Sequence, residues 1–168
     1  LLFFIKDGPF RKPSKSIDLS ICFKIFKNNN FRKAAFGYFG HMWELYTFWA
    51  FVPILLMIYQ KSHPQIHLNI SILSFLIIGI GSISCVLGGY ISEKIGTKKT
   101  AFIFLLLSGL CCLISPLLFY AKNEYIFIGF MFFWGIVVIA DSPLFSTLVA
   151  QNAPQKDKGT ALTIVNCI

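Results

Sequence analysis

His41 and Glu44 are the first residues in this chain with the types and spacing for chemistry. They stand three positions apart, so on a helix they share a face. At about 100° per residue, Gly37, Gly40, His41, Glu44 and Thr47 fall within one sector of roughly 120°, and Trp43 points away from it. An imidazole beside a carboxylate can pass a proton or hold a cation. The same pair can also do no more than tie neighbouring helices together by a hydrogen bond. A second acid, Asp141, lies in the phrase Ala140-Asp-Ser-Pro143. Pro143 removes a backbone hydrogen bond and kinks a helix, and Asp141 is placed to accept from the groups so freed. Trp134, Asp141, Phe145 and Leu148 recur along one helical stripe. Both acids interrupt apolar sequence. A carboxylate at mid-bilayer costs at least ~2.5 kcal/mol on an insertion scale, so each is expected to face protein or a water-filled cavity.

Other chemistry is weakly supported. His63 and His67 are spaced i,i+4, but Pro64 lies between them and spoils helical metal ligation. Neither an H-E-x-x-H zinc motif nor a G-x-S-x-G nucleophile turn occurs. The five cysteines, Cys22, Cys85, Cys111, Cys112 and Cys167, make no C-x-x-C pair and read as small packing residues. No catalytic residue, metal or cofactor is therefore expected, and the chain is not read as an enzyme.

The elements that must position these residues follow from composition. Of 168 residues, 56% are hydrophobic and 13% charged, with Phe occurring 19 times. Soluble domains lie near 45–50% apolar and about 25% charged. This balance excludes a disordered chain, an acidic tail and a secreted disulfide scaffold. The apolar residues collect in four complete runs, roughly 34–59, 69–91, 100–121 and 125–150, with another opening near Thr160 and ending at Ile168. A hydrocarbon core of ~30 Å needs about 20 helical residues, so each complete run spans it. Joints this short force antiparallel neighbours, and the runs are too long and too uniformly apolar for spanning strands. The expected fold class is all-α, a polytopic transmembrane bundle.

The net charge of +8 then finds its place. Alternate joints carry thirteen Lys and Arg on one side of the membrane against two, Lys61 and Lys122, on the other. This positive-inside bias sets residues 6–33 in the cytoplasm, beside a lipid bilayer and with no need of nucleic acid. Within that segment, Ser20, Lys24 and Lys27 share a narrow sector opposite apolar residues, and Asp18 could cap the start. That pattern suits an interfacial helix with snorkelling lysines, or a plain linker helix. Leu1–Ile5 is too short and wrongly flanked for a signal peptide and reads as the last turn of a preceding membrane helix.

The second run carries Gly81, Ser84, Cys85, Gly88, Gly89 and Ser92 in two adjacent small rows, which let helix backbones approach closely. The joint after it contains Gly89, Glu93, Lys94, Gly96, Lys98 and Lys99. Gly96 is a helix stop. Glu93 would sit unfavourably at a helix C-terminus and wants a cationic or helix-N-terminal partner.

This joint resembles the signature loop of the major facilitator superfamily, G-x-L-x-D-R-x-G-R-R/K, with Glu93 in place of the usual Asp and Thr97 in place of a common Arg. Gly37–Pro53, Ala140–Ser146 and Gly159–Thr163 resemble a bacterial branch whose members lack assigned substrates. The resemblance implies that residues 1–5 end the sixth helix and residues 6–33 form the central loop. It further implies that the complete runs are helices seven to ten of the C-terminal six-helix half, and that residues 34–168 form the transmembrane bundle. In that family the first and fourth helices of each half line the central cavity. His41, Glu44, Thr47, Trp134 and Asp141 are accordingly expected at a solute or proton cavity. Glu93 with Lys94, Lys98 and Lys99 would form a gate, and Gly81, Cys85 and Gly88 would be packing positions. The implied function is secondary transport of a small solute by alternating access, with a proton as candidate co-substrate, in a bacterial inner membrane. It would work together with an N-terminal half that this chain does not contain. The alternative is an integral membrane interaction or receptor-like protein that transports nothing.

Overall fold

The computed structural model describes residues 20–156 and 158–167, with side chains from Phe23 onward. Leu1–Ile5 and residues 6–19 of the Lys6–Lys33 segment, Asp18 among them, lie outside the described residues. The elements are α1 (Ser20–Phe26), α2 (Asn29–Ser62), α3 (Ile70–Gly79), α4 (Gly81–Ile95), α5 (Thr97–Leu118), α6 (Glu124–Ala140), α7 (Ser142–Asn152) and α8 (Lys158–Cys167). Helix is the outcome physics requires, because hydrocarbon offers no partner to a backbone N–H or C=O and the helix pairs each within its own segment. α2, α3 with α4, α5, and α6 with α7 make four helices long and apolar enough to cross a membrane.

The helices outrun the apolar stretches that announce them. α2 begins at Asn29, inside the segment read as loop, because the Asn28 side chain accepts from the backbone N–H of Asn30 at 3.0 Å and of Phe31 at 3.3 Å. Asn69 caps α3 and Asn123 caps α6 in the same way. α5 starts three residues earlier than its apolar run, at Thr97. Gly96 alone makes the turn from α4, at φ +90°, a conformation that glycine adopts without a Cβ clash. Hydropathy marks the bilayer core, whereas hydrogen bonding and caps set helix ends, so the two boundaries differ by a turn.

α1 packs its Ile25 with Phe31 of α2 and Val165 of α8 while Phe23, Lys24 and Lys27 stay exposed. At the other end, the Tyr59 ring stacks on Phe127 at 3.9 Å and its hydroxyl donates to the Ala121 carbonyl at 2.8 Å, tying the end of α2 to the start of α6.

Two spans expected as single helices are interrupted, at Ile80 between α3 and α4 and at Asp141 between α6 and α7. The interrupted helices pack on each other. Gly81 lies against Ile139, and Gly88 lies against the Ala140 carbonyl so closely that neither has room for a Cβ. In return, a Cβ at Gly135 would come within 2.6 Å of the Ile77 carbonyl oxygen. Pro143 lacks the N–H that would bond Ile139 in a continuous helix. The Cys85 thiol donates to that carbonyl instead, at 3.6 Å. The row Gly81, Cys85, Gly88 thus receives the broken backbone of α6 and α7. Half of the last span, 50% of its apolar window, is buried, against 17% for the second and third, so α6 and α7 form the centre of the described bundle.

Candidate functional site

The break at Asp141 decides the geometry. α2 runs past it with one side packed and the other open. His41 lies on the packed side, fully buried, as is Asp141. His41 Nδ1 comes within 3.1 Å of Asp141 Oδ1, and this is the one ion pair among the described residues if the imidazole is charged. The approach is not aligned for a hydrogen bond, and neither atom has another partner. The two are charge neighbours held by packing, with hydrogen-bonding capacity in reserve. The other ring nitrogen, Nε2, lies 2.7 Å from Ser142 Oγ, with donor and acceptor set by the tautomer. Phe145, one turn along α7, stacks on the imidazole at 5.4 Å between centroids. Gly37 makes that possible, since a Cβ there would sit 2.8 Å from the Phe145 ring.

Asp141 differs from its expected local role. Its side chain makes no cap to α7. Its backbone carbonyl instead accepts from the N–H groups of Leu144 and Phe145, at 3.0 Å each, which frees the carboxylate to face His41.

Glu44, one turn beyond His41, is half-buried and accepts from the Ser108 hydroxyl of α5 at 2.5 Å. Trp134 Nε1 donates to the same Ser108 oxygen at 3.2 Å. A chain of hydrogen bonds therefore runs from α6 through α5 to α2. Ser108 and Ser142 are the participants that sequence reasoning missed. The available signal for Ser108 was its place as the lone hydroxyl in the apolar run from Ala101 to Leu110. Ser108→Ala would leave the Trp134 N–H and one Glu44 oxygen unpaired. It is expected to cost about 1–3 kcal/mol, read as a lower unfolding midpoint in detergent. A loss no larger than that of the exposed control Ser71→Ala would show that these bonds carry no stability.

The polar sector of α2 is divided between its two sides. His41 is enclosed and Glu44 sits at the edge. Gly40 and Thr47 are exposed, and the Thr47 hydroxyl donates to its own helix at the Trp43 carbonyl. Trp134 is buried and reaches the Glu44 group through Ser108. The signature-loop residues stand apart from all of this, at the junction of α4 and α5. Glu93, Lys94, Lys98 and Lys99 are exposed there, and Lys94 Nζ lies 4.5 Å from the Tyr90 ring centroid. Glu93 has no ion-pair partner among the described residues. His63 packs against the Tyr59 ring at a tilt of 32° and turns its Nδ1 to the Tyr59 carbonyl. Among the described residues no three His, Cys, Asp or Glu side chains gather as a metal site would require.

No curated protein and no solved structure matches this chain. The family model of the Major Facilitator Superfamily matches residues 1–168. The chain belongs to the major facilitator superfamily, as an integral, multi-pass membrane protein of a family that performs membrane transport.

Proposed function

We propose that this chain is part of the C-terminal half of a secondary transporter that moves a small solute by alternating access, coupled to a proton carried by His41, Asp141 and Glu44. The observation that supports the reading is the pair of adjoining polar groups at mid-span, His41 with Asp141 and Glu44 with Ser108. A buried carboxyl favours its neutral form, and an approaching cation favours its charged form. A carboxyl that exchanges one setting for the other as helices move gives up or takes a proton, which is what coupling requires. Carriers of this kind hold their site near the midplane between repeats that rock against each other. The working unit therefore includes an N-terminal half, and a bacterial inner membrane with residues 6–33 in the cytoplasm is the proposed location. Glu93, Lys94, Lys98 and Lys99 are proposed to latch the cytoplasmic side between conformations.

A second reading also rests on an observation. His41 and Asp141 are wholly enclosed, and Glu44 is tied to two helices through Ser108, so the cluster could hold α2, α5, α6 and α7 in register and carry nothing. Transport by the intact protein separates the two. Under the coupling reading, Glu44→Gln or Asp141→Asn abolishes the dependence of transport on the pH gradient while the protein still inserts and folds. Retention of the parental pH dependence by both variants would make the cluster structural.

A further inference from the structure

A cavity of about 440 Å³ opens where α2, α5 and α7 come together at the basic, cytoplasmic end of the bundle. Its polarity is graded along the membrane normal. Lys33, in the second turn of α2, and Lys98, in the first turn of α5, lie at its mouth. Phe102, Leu105, Phe145 and Leu148 line it further in. From Lys98 to Leu105 the helix descends about 10 Å. The first turn of α5 thus lies at the mouth, at the positive end of that helix's dipole. α5 has no side-chain cap, so its first N–H groups are open to an anion. Phe102 is 64% exposed, which suits contact with lipid.

We propose that this groove seats one anionic phospholipid of the cytoplasmic leaflet. Its phosphate lies between Lys33 and Lys98, and an acyl chain lies along Phe102, Leu105 and Leu148. Charge complementarity selects this occupant. A zwitterionic lipid brings its own cation to the two lysines. The segment that precedes α1 carries more basic than acidic residues and offers the two lysines no net counter-charge. The apolar lining has no use for a free anion, whereas an acyl chain covers it. The proposal does not depend on proton coupling.

The test reconstitutes the full chain in phosphatidylcholine vesicles holding a minority of phosphatidylglycerol, extracts it in mild detergent and identifies retained lipid by native mass spectrometry. Basic residues at an anionic leaflet each contribute modestly to lipid attraction, and two acting together should enrich phosphatidylglycerol roughly tenfold over its share of the vesicle. Lys33→Gln with Lys98→Gln should bring retention down to that share, and Lys33→Arg with Lys98→Arg should preserve the enrichment. Lys61→Gln, on the opposite side, should leave it unchanged. The proposal is overturned if the unaltered protein retains the two lipids in proportion to their abundance, or if the paired Gln variant stays enriched. It is equally overturned if inorganic phosphate displaces the retained lipid from the unaltered protein, since the mouth would then be a free-anion site. The two measurements on unaltered protein, its lipid enrichment and its response to phosphate, decide the matter even where the Gln variant fails to fold.

Discussion

His41→Ala is expected to destabilise this protein by about 3–5 kcal/mol, because it strands a buried carboxylate. Asp141 is 1% exposed, and His41 Nδ1, 3.1 Å from its Oδ1, is the one side chain among the described residues placed to pair with it. The loss includes the Nε2 contact to Ser142 and the stacked face of Phe145. Replacing both members tells a different story. His41→Leu together with Asp141→Leu removes two polar groups whose desolvation opposes folding, and such exchanges are often neutral or stabilising. The pair should therefore show a large coupling in a double-mutant cycle, read from unfolding in mixed micelles. Costs that simply add would mean that the two side chains do not sense each other, and the mid-membrane pair would lose its standing as one unit.

The second large effect is at Gly88. An added methyl there runs into the Ala140 backbone carbonyl, which cannot swing aside as a side chain would. Alanine in a helix interior gains about 1 kcal/mol over glycine by propensity, while overpacking costs typically 1–3 kcal/mol. Gly88→Ala is therefore expected to be destabilising on balance. Gly88→Val adds two more carbons against the same atom and is expected to prevent the α4–α6 contact from closing. Gly109, whose added Cβ would meet nothing within 4 Å, is the internal control, and Gly109→Ala should be neutral or stabilising. Thermal unfolding of the variants in one detergent measures the contrast. Equal behaviour at positions 88 and 109 would show that α4 and α6 do not pack at this row.

These two sites also show what could be read in advance. The helices were legible because apolar runs of spanning length leave the backbone no other way to satisfy itself. Gly96 as the stop of α4 was legible because its conformation disfavours every other residue. The small row Gly81, Cys85, Gly88 was legible as a packing surface but not as the seat of a broken helix. That role depends on the carbonyls of Ile139 and Ala140, which have no side-chain signature. The partners of Ser108 were not legible for a related reason. A hydroxyl in an apolar run can bond its own helix, as Ser84 does at the Gly81 carbonyl, and only the neighbour decides otherwise. The wheel placed Gly40, His41, Glu44 and Thr47 together, yet a wheel has no knowledge of where the next helix stops.

Sequence by itself determined an all-helical membrane bundle and the two acids within its apolar runs, and its thirteen basic residues in alternate joints against two carry the expectation of an orientation. Those are properties of composition and periodicity, set by the bilayer as solvent and independent of neighbours. Tertiary structure alone decided that His41 meets Asp141 while Glu44 meets Ser108, dividing one polar stripe between two partners. The physical reason is the break at Asp141. Pro143 withholds one backbone hydrogen bond where α6 gives way to α7, and which helix then meets the Asp141 carboxylate cannot be read from either helix on its own.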